Sequence, residues 1–145
     1  WFRGEANVGD YPWTGNWLYL SQRWTGAIAF VYMVYHVWHL RFHGVHILSD
    51  PAAAFPKVQM EFQNPWIVAF YAVAVVAASW HFAYGIWLFA AKWGIVTGDD
   101  ARRRFGYVCL AIALLFIAVG AVTMISFLRT PLQPLDTGAE SMLIR

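Results

Sequence analysis

The stretch 65–93, PWIVAFYAVAVVAASWHFAYGIWLFAAKW, has no acidic residue, and its one Lys or Arg residue, Lys92, lies near its end. As an α-helix it is longer than the ~20 apolar residues that cross a hydrocarbon core of ~30 Å. Two more apolar runs of sufficient length lie at about 17–42 and 105–128. We therefore predict an all-α membrane protein with three transmembrane helices, named A, B and C in chain order.

The overall composition supports a membrane protein. Of the 145 residues, 60% are hydrophobic and 12% are charged, whereas typical soluble domains have ~45–50% and ~25%. The formal net charge of +2 gives no reason to expect a nucleic-acid partner, and we expect none. Cys109 is the single cysteine, so it is expected to be a small packing residue. Because the chain opens with Trp1 and not with Met, we expect its true beginning to be missing or processed.

The sequence predicts one membrane domain over residues 1–145. Its parts are a cytoplasmic loop at 1–16, helix A at 17–46, an outer connection at 47–64, helix B at 65–94, a cytoplasmic turn at 95–102, helix C at 103–129 and an outer tail at 130–145. Prolines and mixed polarity in the outer connection favour a short amphipathic helix along the membrane surface. Either Asp99 or Asp100 is the expected N-cap of helix C.

Positive charges beside the turn between helices B and C predict the orientation. Lys92 and the arginines at 102–104 flank this turn, whereas the connection between A and B offers Lys57 and Arg41. The positive-inside rule therefore places the turn between B and C in the cytoplasm. We predict a multi-pass protein in which helix A runs outward, helix B inward and helix C outward.

Four of the five histidines lie in YHVWHLRFHGVH, residues 35–46. Their spacing of 3, 4 and 3 places His36, His39, His43 and His46 within roughly 80° on one helical face. His36 and His39 in helix A, and His81 in helix B, would lie in the membrane, where an imidazole needs a partner that lipid does not supply. For His43 and His46, at the helix end, a solvated or headgroup-facing position is favoured.

These histidines are consistent with zinc, copper or haem iron as the bound metal. Zinc needs three or four converging ligands, and neither histidine-bearing span contains a carboxylate or a cysteine. Haem needs one imidazole on each face, and Gly26 and Gly85 would let a flat macrocycle approach the helix backbone. Counted from the outer helix ends, His36 and His81 differ in depth by about 10 Å. If both bind haem, there are two haems, and each takes its second ligand from outside this chain.

Two segments carry a resemblance to a known family. LSQRWTGAIAFVYMVYHVWHLRF at 20–42 and NPWIVAFYAVAVVAASWHFAYGIWLFAAKWGI at 64–95 resemble the dihaem cytochrome b membrane anchor of succinate:quinone oxidoreductases and quinol:fumarate reductases. The resemblance implies a five-helix haem-binding bundle with two bis-histidine haems. His36 matches a ligand of the haem near the outer face, and His81 matches a ligand of the haem near the cytoplasmic face. The first two helices of the family are not matched, so we expect that they are missing or that another membrane chain supplies the partner ligands.

The resemblance also suggests roles for other polar residues. Ser21, Gln22 and Lys92 could contact haem propionates or a quinone head. His39 and His43 could bond the propionates of the outer haem or relay protons at a quinone site on that side. Gly26 and Gly85 are expected to pack in the haem pockets.

The function implied by the resemblance is that of a haem b-containing membrane anchor. It would carry electrons between an iron–sulfur subunit and a membrane quinone, menaquinone, in the bacterial cytoplasmic (inner) membrane. A flavoprotein subunit and membrane lipid are the other expected partners, and the chain itself is expected to have no catalytic site for succinate. Three alternatives remain open: the cytochrome b anchor of a membrane hydrogenase or nitrate reductase, a divalent-metal transporter, and a haem-free structural anchor.

Overall fold

The computed structural model describes residues 14–42 and 53–132. In these ranges the regular structure is helical, in four elements: α1 (Thr14–Arg41), α2 (Ala54–Glu61), α3 (Pro65–Lys92) and α4 (Asp99–Arg129). The all-α prediction is therefore confirmed. Helices α1, α3 and α4 correspond to the predicted helices A, B and C.

Helix α3 is central, with α1 and α4 packed against it. Three contacts show that α1 and α3 run antiparallel in one register. Gly26 lies against the ring of His81, Gln22 lies beside Gly85, and His36 lies beside Tyr71. A shift of α1 along α3 would break all three contacts together.

Small residues bring α4 close to α3. A Cβ added at Gly120 would lie 2.5 Å from Cγ1 of Val75, which is far inside normal contact distance. Cys109 and Ala113 are also buried, at 4% and 2% exposure. Because lipid is as apolar as the helix surface, close backbone packing at small residues is a main source of association between membrane helices.

Helix α2 confirms the predicted short helix in the outer connection, and it closes one end of the bundle. Phe55 stacks on Phe127 of α4 with ring centroids 4.7 Å apart, and Phe62 meets Tyr71 of α3 edge-on at 5.0 Å. The side-chain nitrogen of the fully buried Gln59 donates to the backbone oxygen of Thr130 at 3.0 Å. Helix α2 thus packs on the end of α4 and near the start of α3, opposite the turn that joins these two helices.

The start of α3 follows from its sequence. The side chain of Asn64 accepts a hydrogen bond from the backbone N–H of Trp66 at 3.0 Å, so Asn64 is an N-cap. Pro65 occupies the first helical position, where a missing N–H is tolerated.

Two of the described helices, α3 and α4, are long and apolar enough to cross a membrane. Helix α1 has 28 residues and is long enough, but polar residues such as Ser21, Gln22 and Arg23 make its first half less apolar. That α1 crosses the membrane therefore stays a prediction. Large apolar side chains are exposed on its second half and on α4, including Phe30 at 69% and Val122 at 68%. An apolar surface of this extent indicates contact with lipid or with further helices.

The helix bounds differ in part from those predicted. Helix α1 begins at Thr14, not at residue 17, and residues 43–46 lie outside the described ranges. Helix α4 begins at Asp99, not at residue 103, and its N-cap is Gly98, not Asp99 or Asp100. The N-cap prediction was wrong because Gly98 has a φ of +83°, a conformation that favours glycine. Asp99 and Asp100 lie instead in the first turn, where their charges still favour the helix.

Candidate functional site

The ring of His81 lies directly on the backbone of α1. A Cβ on Gly26 would lie 2.8 Å from Cε1 of this ring, so only glycine allows the observed approach. Nδ1 of His81 lies 3.1 Å from the backbone oxygen of Gln22. A carbonyl oxygen only accepts, so Nδ1 carries the proton and Nε2 keeps its lone pair. A backbone carbonyl on Nδ1 is a common way to prepare Nε2 as a metal ligand.

Two polar side chains of α1, Ser21 and Gln22, lie close to His81 and its neighbour Trp80; their predicted contact with propionates or a quinone stays a prediction. The side-chain nitrogen of Gln22 donates to the backbone oxygen of His81 at 3.2 Å. Its side-chain oxygen is buried and has no hydrogen-bond partner among the described residues. Nε1 of Trp80 donates to the hydroxyl of Ser21 at 3.1 Å. Gly85 lies beside the same glutamine, since a Cβ added at Gly85 would lie 3.6 Å from the side-chain nitrogen of Gln22.

His36 occupies a second polar position on α1. Its Nδ1 lies 3.3 Å from the hydroxyl of Tyr32 and 3.4 Å from the hydroxyl of Tyr71. Tyr32 and Tyr71 contact each other edge-on at 5.2 Å, so His36 lies beside a pair of packed aromatic rings. Both contacts involve Nδ1 and not Nε2.

The two histidines lie at different depths. His36 lies beside Tyr71, and Tyr71 precedes His81 by ten residues on α3, which is roughly 15 Å along a helix axis. The sequence predicted a separation of about 10 Å. Because a metal–nitrogen bond to histidine is only ~2 Å long, His36 and His81 do not bind the same metal ion.

A buried carboxylate, that of Glu61, contacts His39, and the sequence analysis did not predict this contact. Oε1 of Glu61 lies 2.8 Å from Nε2 of His39, and the Glu61 side chain is 10% exposed. The ammonium group of Lys57 donates to the backbone oxygen of His39 at 2.6 Å, and the ring of Tyr35 stacks on that of His39 at 5.3 Å. One hint of this cluster is present in the sequence: Lys57 and Glu61 are four residues apart, so they lie on one face of a short amphipathic helix.

The remaining predicted site residues are not part of these clusters. Lys92 lies exposed in the last turn of α3. His43 lies outside the described residues. Within the described ranges, no group of three or more His, Cys, Asp or Glu residues could hold a metal ion. His36 and His81 each offer a single imidazole at a separate position, and their role as haem ligands stays a prediction.

Long apolar antiparallel helices place the chain in the class of all-α membrane proteins, here with single imidazoles at two levels of the bundle. The chain belongs to the succinate dehydrogenase/fumarate reductase transmembrane subunit family, whose sequence profile matches residues 6–120.

One relative is the succinate dehydrogenase cytochrome b558 subunit of Bacillus subtilis (strain 168). The two chains are 31% identical over 126 residues, which cover 87% of this chain and 61% of the relative. The chain thus spans less than two thirds of the length of this relative. No solved structure matches the chain.

Proposed function

We propose that the chain is the haem b-carrying membrane anchor of a succinate dehydrogenase or fumarate reductase, and that it carries electrons between an iron–sulfur subunit and a membrane quinone. Family membership supports the type of complex, and the name of the B. subtilis relative supports a cytochrome b. The observation that carries the proposal is the environment of His81. The ring lies against Gly26 and Nδ1 donates to the Gln22 carbonyl, so Nε2 of the neutral imidazole keeps the lone pair that a metal ligand needs.

Bound haem b would supply a one-electron iron centre at each of the two positions. His81 would hold the haem nearer the cytoplasmic side and His36 the haem nearer the outer side, each through Nε2. Further haem ligands would come from other helices of a five-helix bundle. Ser21 and Gln22 would bind propionates or a quinone head beside His81, and Lys92 would do so at the cytoplasmic surface.

The test is a reduced-minus-oxidised absorption spectrum with haem quantification on the intact complex. His36→Ala and His81→Ala should each remove a different low-spin b-type component and about half of the haem. His46→Ala removes an imidazole with no ligand role and should leave both components. A complex without low-spin b-type bands, or the loss of the same component in both variants, would overturn the proposal.

The outer end of the bundle is the proposed site of proton transfer to quinone. Reduction of a quinone takes two electrons and two protons, and each carbonyl oxygen becomes a hydroxyl. His39 and Glu61 form a pair at ion-pair distance, and neither carboxylate oxygen has a hydrogen-bond donor of good geometry among the described residues. A buried acceptor of this kind calls for a partner, and a quinol hydroxyl would provide one. His43 is proposed for the same relay or for the propionates of the outer haem.

Replacement of His39 or Glu61 tests this proton role. His39→Gln and Glu61→Gln should lower succinate:quinone turnover at least tenfold, because a positioned acid or base typically contributes 10²–10⁴-fold. Succinate oxidation with an artificial acceptor at the flavoprotein should stay unchanged. Asp100→Asn removes a carboxylate at the opposite end and is the matched control. Unchanged quinone-linked turnover in both variants would exclude the pair from proton transfer.

The proposed setting is the bacterial cytoplasmic membrane, with menaquinone as the acceptor and a flavoprotein and an iron–sulfur protein as peripheral partners. Family membership favours this complex over a hydrogenase or nitrate reductase anchor, a divalent-metal transporter or a haem-free anchor. Mass spectrometry of the subunits that co-purify with the chain distinguishes the complexes. Metal analysis of the same sample distinguishes iron from a transported divalent ion.

A further inference from the structure

A large cavity lies between α1 and α4, on the side of α3 near the turn that joins α3 to α4. Its volume is about 840 Å³. Along α4 it extends from Asp99 to Ala113, which is roughly 21 Å at the rise of an α-helix. The cavity is therefore a long slot that begins at the membrane surface and runs toward the membrane centre.

The floor of this slot is a ladder of three aromatic rings on α3. Trp80 stacks on Tyr84 with centroids 5.9 Å apart, and Tyr84 stacks on Trp87 with centroids 5.5 Å apart. Both indole N–H groups are already engaged: that of Trp80 donates to Ser21, and that of Trp87 donates to the backbone oxygen of Arg102 at 3.0 Å. These bonds hold the rings in place and leave apolar ring surface to line the slot.

The two ends of the slot differ in polarity. Toward the membrane centre, the lining comes from Leu110 and Ala113 and is apolar, and Leu18 of α1 lines the slot nearer its mouth. At the surface, Arg102 and Arg103 line the mouth, and both are exposed. Asp99 is also at the mouth and offsets one of the two positive charges. The slot is therefore complementary to an amphiphile with an anionic head and an apolar tail.

We propose that this slot binds an anionic phospholipid, with the phosphate at Arg102 and Arg103 and an acyl chain along Trp80, Tyr84 and Trp87. Basic pockets between helices at the cytoplasmic surface are typical sites for anionic headgroups, and guanidinium groups bind phosphate through paired hydrogen bonds. A quinone head could accept hydrogen bonds from the arginines but would not neutralise their charge, whereas a phosphate does both. A free phosphate ion would leave the apolar part of the slot without an occupant. The site is independent of the haem ligands.

The test measures lipid that remains on the intact complex. The complex is purified from native membranes and placed in nanodiscs of phosphatidylcholine with one fifth phosphatidylglycerol. Bound lipid is then counted by native mass spectrometry. Removal of both charges in Arg102→Gln/Arg103→Gln should weaken phosphatidylglycerol binding on the order of tenfold. The control Arg104→Gln/Arg129→Gln removes two exposed charges that do not line the slot, and it should retain the lipid.

A second variant tests the tail. Leu110→Trp places a larger side chain in the slot from a half-exposed position and keeps the arginines, so it should also release the lipid. Equal retention by wild type, the double arginine variant and Leu110→Trp would overturn the proposal. Retention of phosphatidylcholine in place of phosphatidylglycerol would overturn the anionic assignment. Displacement by excess inorganic phosphate would identify a simple anion site instead, and a bound quinone in the slot would identify a different occupant.

Discussion

At Gly26, the backbone of α1 comes very close to the ring of His81, a predicted haem ligand. The imidazole of His81 lies only 2.8 Å from where a Cβ at position 26 would be, and the carbonyl of Gln22, one turn earlier on α1, accepts a hydrogen bond from its Nδ1–H. A side chain at position 26 would push the ring away from that carbonyl. The glycine thus allows the ring position in which Nδ1 is the hydrogen-bond donor.

Gly26→Ala should therefore disturb His81 specifically. The new Cβ would lie 2.8 Å from Cε1, so the ring must shift. Overpacking of this kind typically costs about 1–3 kcal/mol, of which roughly 1 kcal/mol is offset by the better helix propensity of alanine. In the reduced-minus-oxidised spectrum, the component lost in His81→Ala should be broadened, shifted or lost.

Gly85→Ala is the matched control, since its nearest contact would be 3.6 Å from the Gln22 amide, an ordinary distance. It should leave the spectrum unchanged. Equal spectra for wild type and Gly26→Ala would show that the position of the ring does not depend on Gly26.

At the residue scale, the structure shows a packing role for the two glycines that the sequence assigned to haem pockets. Gly26 and Gly85 were expected to let a macrocycle approach the backbone, and both lie at the crossing of α1 and α3. Their partners are His81 and Gln22, and no local pattern specifies these pairs, because they depend on the register between two helices. Whether the two glycines also line haem pockets stays a prediction.

At the scale of whole helices, the close packing of α4 on α3 depends on Gly120. Gly120→Ala would place a Cβ 2.5 Å from Val75, and the helices must separate locally. We expect a destabilisation of about 1–3 kcal/mol. The measurement is thermal denaturation of the intact complex, followed by the circular dichroism of its helices.

A double-mutant cycle makes this prediction specific. Val75→Ala removes the methyl groups that would collide, so Val75→Ala/Gly120→Ala should recover most of the stability lost in Gly120→Ala. Strictly additive effects of the two substitutions would mean that the steric explanation is wrong.

Helix α2 depends on a small aromatic cluster with α4. The ring of Phe127 lies 4.7 Å from that of Phe55 and 5.6 Å from that of Phe62. Phe127→Ala should loosen α2 and raise amide hydrogen exchange at residues 54–61, since few other contacts hold this helix on α4. Phe116→Ala, which removes a ring that contacts α3 and not α2, is the control. Protection of α2 that does not change in Phe127→Ala would contradict this account.

For the whole molecule, the arrangement of the helices predicts that the two ends face opposite sides of the membrane. The turn between α3 and α4 carries the excess positive charge, so we expect it in the cytoplasm. In Thr97→Cys, a membrane-impermeant maleimide should label inverted vesicles. In Leu132→Cys, it should label right-side-out vesicles. Wild type has only Cys109, which is buried and should stay unlabelled. The reverse labelling pattern would invert the proposed sides of His36 and His81.

The sequence by itself determined the class of fold and that the two histidines lie at different levels along the helices. Helix formation in an apolar run is local, because the backbone groups are satisfied within the segment, and depth follows from a fixed rise per residue. The polar helix ends, the glycines in the loops and the N-cap at Asn64 likewise depend on residues that are neighbours in the chain.

Only the tertiary structure decided the partners. The tautomer of His81, the approach of Glu61 to His39 and the slot lined by Trp80, Tyr84 and Trp87 all require a particular rotation and register of packed helices. Helices that are apolar on all sides give little sequence signal for that rotation, because lipid and a neighbouring helix are equally apolar. The contact between Glu61 and His39 is the clearest case. It joins residues on two different helices, and no local sequence pattern specifies how those helices pack.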